Sequence, residues 1–256
     1  MQNPDHEFFY AGNSNRVANF DRAKSDKLMQ DADFVVSQTV LNKKNPDYHE
    51  AIRERLGPKV SLMPYIFVDG LYSASATRNQ KLLGGVLGDS YIAAELEERE
   101  VPEVLARFKD GALDFNHKDR LEKSLKELRR REGVCDYKLY DRVSAECLEE
   151  RIMITHNHPM PGMLNGLATQ IADAHGLKFE PVDASHPERY KAMMLPRGAQ
   201  ILSPFTIADI GAAYPADDDW YEQGTELVCS VAKAMGKSLK GIEKTAPRKK
   251  RFFGLI

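Results

Sequence analysis

The stretch DFVVSQTV, residues 33–40, shows the first clear element of an α/β pattern. Its apolar and β-branched residues are bounded by polar ones, which predicts a buried strand. The next stretch, DYHEAIRERLG at residues 47–57, reads as a helix that a Gly-Pro pair ends. KVSLMPYIFVD at residues 59–69 predicts a second strand, bent at Pro64. With the apolar run and loose helical face that precede them, these segments indicate the order β-α-β-α-β, which favours a parallel sheet.

A block of helical patterns interrupts this alternation over residues 89–132. The leucines at the spacing of one helix face are Leu121, Leu125 and Leu128. We interpret the block as a helical insertion in a single α/β domain that covers residues 1–245. The remaining residues, 246–256, form a basic and then apolar tail.

The second half of the chain continues with strands and helices. RIMIT at residues 151–155 predicts a strand, and the helical pattern after it ends at Gly176, a residue suited to a left-handed helix cap. LKFEPVD at residues 177–183 predicts a further short strand, and residues 217–239 predict a last helix. We therefore expect an α/β fold, in which a parallel-type sheet is flanked by helices and carries a helical insertion.

The composition is that of an ordinary globular protein. The 36 lysines and arginines nearly balance the 38 acidic residues, so the net charge of −2 does not favour a nucleic-acid binder. No apolar run approaches the about 18 residues of a membrane span, and the N-terminal residues lack signal-peptide order. The three cysteines show no Cys-x-x-Cys spacing, which favours a reducing compartment. We expect a cytoplasmic protein that is not transmembrane.

Two histidines stand between the strand at residues 151–155 and the helix after it. His156 and His158 flank Asn157 and precede Pro159. In open α/β sheets ligands bind where strands end and helices begin, and helix N-termini attract anions. A neutral histidine in this place can take a proton from a hydroxyl group. Two alternatives stay open: the pair binds a metal, although no Glu or Cys stands nearby at ligand spacing, or it only satisfies hydrogen bonds of the loop.

Three other polar segments are candidates for ligand contact. In Gly-Asn-Ser-Asn at residues 12–15, Ser14 could be a nucleophile on a strand-to-helix turn, with Asn13 beside it. Gln38 ends the strand of residues 33–40 and could hydrogen-bond to a ligand at that edge of the sheet. A cationic cluster, suited to bidentate phosphate contacts, consists of Arg129, Arg130 and Arg131. The alternatives are a polar turn, a plain strand end and a solvated helix face.

Seven segments occur in order between about residues 30 and 180. They are DADFVVSQTV, MPYIFVDGLY, GDSYIAAELEE, ARFKDGALDF, SLKELRRRE, DRVSAECLEERIMITHNHP and LATQIADAHGL. Together they resemble the WcbI-like family of capsular polysaccharide biosynthesis proteins, which are regarded as acetyltransferases. Asn-His-Pro after an apolar strand is the most telling match. Family members usually carry Gly-Asn-Cys-Gln after their first strand, whereas this chain has serine at residue 14.

The resemblance implies an α/β fold, binding of coenzyme A or acetyl-coenzyme A, and O-acetylation of a sugar hydroxyl in surface polysaccharide. We expect His158 to be the general base, since Pro159 biases its backbone towards an extended conformation. His156 or Asn157 would orient the hydroxyl or polarise the thioester carbonyl. The three arginines would meet the nucleotide phosphates, and Gln38 and Asn13 would line the cofactor site.

Two other functions remain possible at this stage. The first is an ester hydrolase of the Ser-Gly-Asn-His type that uses Ser14, Asn13 and His158. The second is a non-catalytic coenzyme A- or nucleotide-binding module of a polysaccharide assembly complex. The partner expected in the preferred function is a sugar or polysaccharide acceptor, and no metal is expected. The basic tail at residues 246–256 could dock on a membrane surface or on a partner, and the oligomeric state stays open.

Overall fold

The computed structural model of the chain describes residues 21–45, 47–72, 90–183 and 201–240, together with Glu7 and Ile242. The helices in these residues are α1 Arg22–Asp31, α2 His49–Leu56, α3 Ser90–Glu98, α4 Val101–Lys109, α5 His117–Glu132, α6 Tyr140–Glu146, α7 Pro161–His175, α8 Pro204–Ile210 and α9 Trp220–Ala234. The strands are β1 Val35–Gln38, β2 Val60–Met63, β3 Met153–Thr155 and β4 His158–Pro159. No helix in these ranges has the length and apolar character needed to cross a bilayer.

The described residues form two compact units. Unit 1 holds α1, β1, α2, β2, most of α5, α6, β3, β4 and α7, and unit 2 holds α3, α4, α8 and α9. The boundary inside α5 falls between Lys118 and Asp119. The expected tail at residues 246–256 lies outside the described residues, and the limits of the expected single domain stay a prediction.

A parallel pair of strands forms one of the two small sheets in the described part of unit 1. β1 and β2 pair in parallel from Val35 opposite Val60 to Gln38 opposite Met63, and α2 connects them. The apolar residues that pack in this β-α-β unit are Ile52, Leu56, Val60 and Leu62. The α/β class is confirmed, and so is the predicted order α-β-α-β in the described residues, whereas the strand expected before them lies outside these residues. The second strand is shorter than predicted, because Pro64 follows it and lacks the N–H that a ladder requires.

The predicted helical block at residues 89–132 is present as α3, α4 and α5. Leu121 and Leu128 are buried and Leu125 is half-buried, so the leucine pattern does mark the packed face of α5. Unit 2 has its own apolar core, built from α3, α4 and α9. Its fully buried residues are Ile92, Leu96, Val101, Val104, Val228, Val231 and Ala232.

The strand at Met153–Thr155 differs from the expected one in its pairing. In the described residues β3 pairs with β4 in an antiparallel hairpin, not with β1 or β2. Asn157 is suited to the tight turn, and its N–H lies 3.4 Å from the hydroxyl oxygen of Thr155. The N–H of Met160 then donates to Ile152 O at 2.8 Å, which closes the hairpin before α7 begins. We expected this strand to belong to a parallel sheet, with a loop leading from it to the helix, and the expected pairing is therefore wrong.

The end of α7 confirms one prediction and corrects another. Gly176 has φ 64° and ψ 25°, the left-handed conformation predicted for this cap. The strand predicted over residues 177–183 is absent from the described structure. Val182 N–H donates to Asn165 Oδ1 at 2.9 Å, and Asn165 Nδ2 donates to Val182 O at 2.8 Å. Pro181 has no N–H that could donate to a neighbouring strand.

The last two helices have recognisable N-terminal chemistry. α9, Trp220–Ala234, confirms the helix predicted over residues 217–239. The sequence interpretation missed α8, although Ser203 and Pro204 form a typical helix start. The Ser203 hydroxyl accepts a hydrogen bond from Thr206 N–H at 3.1 Å.

Candidate functional site

The hairpin orients His158 through a buried hydroxyl group. Thr155 Oγ1 lies 3.1 Å from Asn157 Oδ1 and 2.6 Å from His158 Nδ1. The amide oxygen can only accept, so Thr155 donates its single hydroxyl hydrogen to Asn157. The Thr155 oxygen therefore accepts from Nδ1–H of His158, and this assigns the lone pair of the imidazole to Nε2. No described residue hydrogen-bonds to that Nε2.

The same turn presents a second polar group on Asn157. Its Oδ1 is engaged by Thr155, whereas its Nδ2 has no hydrogen-bond partner among the described residues. An amide N–H held in this way can donate to an oxygen that gains negative charge during a reaction. Asn157 and His158 are both half-buried, so a ligand can approach them.

His156 anchors the hairpin to the segment that follows β2. Its carbonyl oxygen accepts from Val68 N–H at 2.7 Å. Its ring packs against Phe67, with the ring centroids 4.8 Å apart. His156 therefore makes structural contacts through both its backbone and its ring, whereas among the described residues the His158 ring has one hydrogen bond, to Thr155.

A row of flat side chains leads from the hairpin to the arginine cluster, and we name it the aromatic row: His156, Phe67, Tyr65 and Arg131. Tyr65 and Phe67 have nearly parallel rings, with centroids 6.4 Å apart and an interplanar angle of 21°. The guanidinium carbon of Arg131 lies 5.4 Å from the centre of the Tyr65 ring, within cation–π distance. All four side chains are half-buried, so the row keeps some exposed surface.

Helix α5 fixes the segment that carries these aromatic residues. The hydroxyl of Ser124 donates to Phe67 O at 3.1 Å and accepts from Asp69 N–H at 2.8 Å. One turn earlier the buried Arg120 makes an ion pair with Asp69 at 2.6 Å. Arg131 lies about two turns beyond Ser124 on the same helix. One rigid element thus positions both the backbone of the aromatic row and its cationic end.

The three arginines of the cluster have different surroundings. Arg130 makes two 2.7 Å hydrogen bonds to Glu127, and Arg131 makes one of 2.8 Å to the same carboxylate. Hydrogen bonding from Arg130, opposed by partial burial and aided by Arg131, lowers the pKa of Glu127 to about 2. Arg129 lies over the Tyr140 ring at 5.2 Å and has no carboxylate partner among the described residues. Arg129 and Arg131 are therefore better placed than Arg130 to meet a new anion.

The other predicted site residues are less informative. Gln38 ends β1 beside Met63, and its exposed side chain has no partner in the described part of the chain. It lies at the sheet edge from which the segment with Tyr65 departs. Ser14 and Asn13 lie outside the described residues. Their expected roles stay predictions.

Sequence reasoning missed three residues of this site: Thr155, Tyr65 and Phe67. A threonine at the end of a strand has no sequence signal that predicts its hydrogen bond to a histidine three residues later. The aromatic pair had a signal, because two rings at alternate positions after a proline can share one side of an extended segment. In the described ranges no group of three or more His, Cys, Asp or Glu is arranged to hold a metal ion.

A parallel strand pair, flanking helices and a histidine oriented by a hydroxyl group are typical of an α/β enzyme. The chain belongs to the WcbI family of polysaccharide biosynthesis enzymes, since the family model matches residues 5–180.

A solved structure of WcbI, described as a novel polysaccharide biosynthesis enzyme, is similar in fold, with a TM-score of 0.58 and 14% identity. The similarity covers 84% of this chain and 82% of that one. That structure is described as the native protein without a disulfide bond between coenzyme A and one of its cysteines. No curated protein matches this chain significantly.

Proposed function

We propose that the protein is a coenzyme A-dependent O-acetyltransferase that acts on a sugar hydroxyl during synthesis of a surface, capsular polysaccharide. The observation that carries the proposal is the aromatic row, which joins the Arg131 guanidinium to the hairpin where Thr155 orients His158. The row combines a cationic end, flat rings and a basic nitrogen. These are the groups that a nucleotide thioester and a hydroxyl acceptor require.

The residues present fit coenzyme A in their chemistry. Arg131 and Arg129 would contact its phosphates, because guanidinium groups bind phosphate oxygens in bidentate fashion. The half-buried rings of Tyr65 and Phe67 offer stacking surface for the adenine base. Gln38 would add a hydrogen bond from the carboxyl end of β1. The cofactor supplies an acyl group activated as a thioester.

The reaction then requires a base and an oxyanion donor from the protein. His158 Nε2 would accept the proton of the sugar hydroxyl, and Thr155 would hold the ring in the tautomer that leaves this nitrogen basic. Asn157 Nδ2 would donate to the thioester oxygen as negative charge develops on it. His156 would position the hairpin on the segment of Phe67 and would not itself exchange a proton.

Residue 14 distinguishes this chain from the family's usual Gly-Asn-Cys-Gln motif. Serine cannot form a disulfide, so we propose that coenzyme A is held by non-covalent contacts alone at this position. Ser14 remains a candidate oxyanion donor, and Asn13 a candidate cofactor contact.

The proposal is tested by release of free coenzyme A from acetyl-coenzyme A in the presence of saccharide acceptors, together with mass detection of the acetylated sugar. We expect release to depend on the acceptor. Hydrolysis of acetyl esters without any response to coenzyme A would replace the proposal with the ester hydrolase. Thermal stabilisation by coenzyme A without transfer to any acceptor would replace it with the binding module.

A further inference from the structure

A cavity of about 370 Å³ lies within unit 2, and the proposed reaction does not use it. It is formed by the end of α4, the connection to α5 and the side of α8. Three phenylalanines line it, together with the polar residues Asp114, His117, Ser203 and Asp209. Its volume and its mixture of aromatic wall and few polar groups are those of a small-molecule site.

The aromatic wall is held in place and partly exposed. Phe205 is 39% exposed, although its ring contacts Trp220 edge-on with centroids 5.6 Å apart. Gly111 has φ +70°, and a Cβ built there would lie 2.3 Å from Cδ1 of Phe205. The ring therefore lies directly against the Gly111 backbone, which only glycine permits. Phe108 and Phe115 are almost fully buried, so Phe205 is the ring of this wall that a ligand can cover.

The buried polar side of the cavity is a chain of hydrogen bonds. Nδ1 of His117 lies 3.2 Å from Gly70 O, which can only accept, so Nδ1 carries the hydrogen. Nε2 of the ring lies 3.3 Å from the Thr206 hydroxyl, which lies 2.9 Å from the Ser203 hydroxyl. His117 is buried, and its two ring nitrogens are engaged by Gly70 and Thr206.

The charges that line the cavity are carboxylates. Asp209 is paired with Lys118 at 3.7 Å, and Asp114 accepts from Asn116 N–H at 2.7 Å. No lysine or arginine is among the lining residues that the structure describes. A phosphate or carboxylate ligand would meet like charge, whereas hydroxyl groups can donate to both carboxylates. An organic cation is less favoured, because one exposed ring is not an aromatic cage and Lys118 partly neutralises Asp209.

We propose that this cavity binds a neutral sugar ring, whose apolar C–H face packs on Phe205 and whose hydroxyls donate to Asp114 and Asp209. The choice of a saccharide rests on the proposed function, since a saccharide-modifying enzyme gains specificity from a second saccharide contact.

The test is saturation-transfer NMR of the full-length protein with neutral methyl glucoside and methyl galactoside. We expect transfer to at least one glycoside, weakened about fivefold or more by Phe205→Leu, which removes the ring and keeps an apolar side chain. Asp209→Asn and Asp114→Asn should also weaken it. The matched controls are Leu164→Ala, an exposed apolar residue of α7, and Asp218→Asn, an exposed acid that does not line the cavity.

Two results would overturn the proposal: no transfer to any glycoside, or transfer that Phe205→Leu and both Asp variants leave unchanged. Displacement of the glycoside by tetramethylammonium chloride at lower concentration would also overturn it, in favour of a cation site. Coenzyme A is titrated into the same samples. If the wild-type protein does not bind coenzyme A, the proposed function is contradicted, but the glycoside result still holds. We expect Phe205→Leu to bind coenzyme A as the wild type does.

Discussion

Among single residues, Thr155 is important because its hydroxyl orients the side chains of both Asn157 and His158. It joins two side chains of the turn, and it decides which nitrogen of His158 is basic. Asp or Glu often does this in enzymes, but no described carboxylate contacts His158. The neutral partner orients the ring without adding negative charge beside it. Thr155 occupies Nδ1, the nitrogen to which the acid of a Ser-His-Asp triad binds.

We predict that Thr155→Val lowers kcat for acetyl transfer by up to about a hundredfold, because misplacement of a catalytic group by about 1 Å has effects of that size. KM for acetyl-coenzyme A should change little, since Thr155 does not contact the proposed cofactor surface. Thr155→Ser keeps the hydroxyl and should restore most of the activity. Equal loss of activity in both variants would mean that packing, not the hydroxyl, is what matters.

We also predict that His158 is the base and His156 is not. Steady-state assays of His158→Ala should show a loss of about 10²- to 10⁴-fold in rate. His156→Ala should lose less in rate but more in melting temperature, because it removes the ring contact with Phe67. Near-full turnover by a folded His158→Ala variant would refute the assignment, and loss of turnover in His156→Ala alone would reverse the two roles.

The arginine cluster provides its own control. Arg131→Ala and Arg129→Ala should each weaken coenzyme A binding by about 1–3 kcal/mol, the range of charge-assisted hydrogen bonds. Arg130→Ala should have the smallest effect, because Arg130 already makes two hydrogen bonds to Glu127. Calorimetric titration at two salt concentrations checks this, since salt screens exposed phosphate contacts. Equal effects of all three substitutions would indicate a general field of positive charge.

For the helices and strands, the spacing of apolar residues predicted most elements. It failed where a side chain, and not a neighbouring strand, hydrogen-bonds to the backbone. The helices at residues 49–56, 161–175 and 220–234 follow apolar spacing and start or stop signals. The strand expected after Gly176 does not form, because Asn165 binds the Val182 backbone in place of a neighbouring strand. A single sequence shows no sign of that long-range contact.

The cap of α7 gives a test at this scale. Gly176 has φ 64° and no atom within 4 Å of an added Cβ, so strain is the only penalty for a side chain. Gly176→Ala should lower the free energy of unfolding by about 1 kcal/mol, and Gly176→Asn by less, because asparagine tolerates the left-handed region. Urea denaturation measures both. Identical stability of the two variants and the wild type would show that the helix ends differently in solution.

Across the whole chain, the sequence predicted the class of fold better than the connections between its elements, and the predicted site stays a prediction. His158 and the arginines were candidates because of their chemistry, but Tyr65 and Phe67, which join them, depend on the path of residues 64–69. That path is set by Pro64, which ends β2, and by Ser124 on a helix far along the chain. The hairpin was missed for a different reason, because β4 has only two residues, His158 and Pro159, and so short a strand has no alternation to detect.

Hydrogen–deuterium exchange with and without coenzyme A tests whether the cofactor binds along the aromatic row, as we propose. Ligand contact excludes solvent and suppresses local opening of the backbone. We predict slower exchange at residues 64–69 and 154–160 when coenzyme A is present, with Arg131→Ala reducing the protection at equal concentration. Binding that leaves both segments unprotected, or that protects only other parts of the chain, would contradict the account.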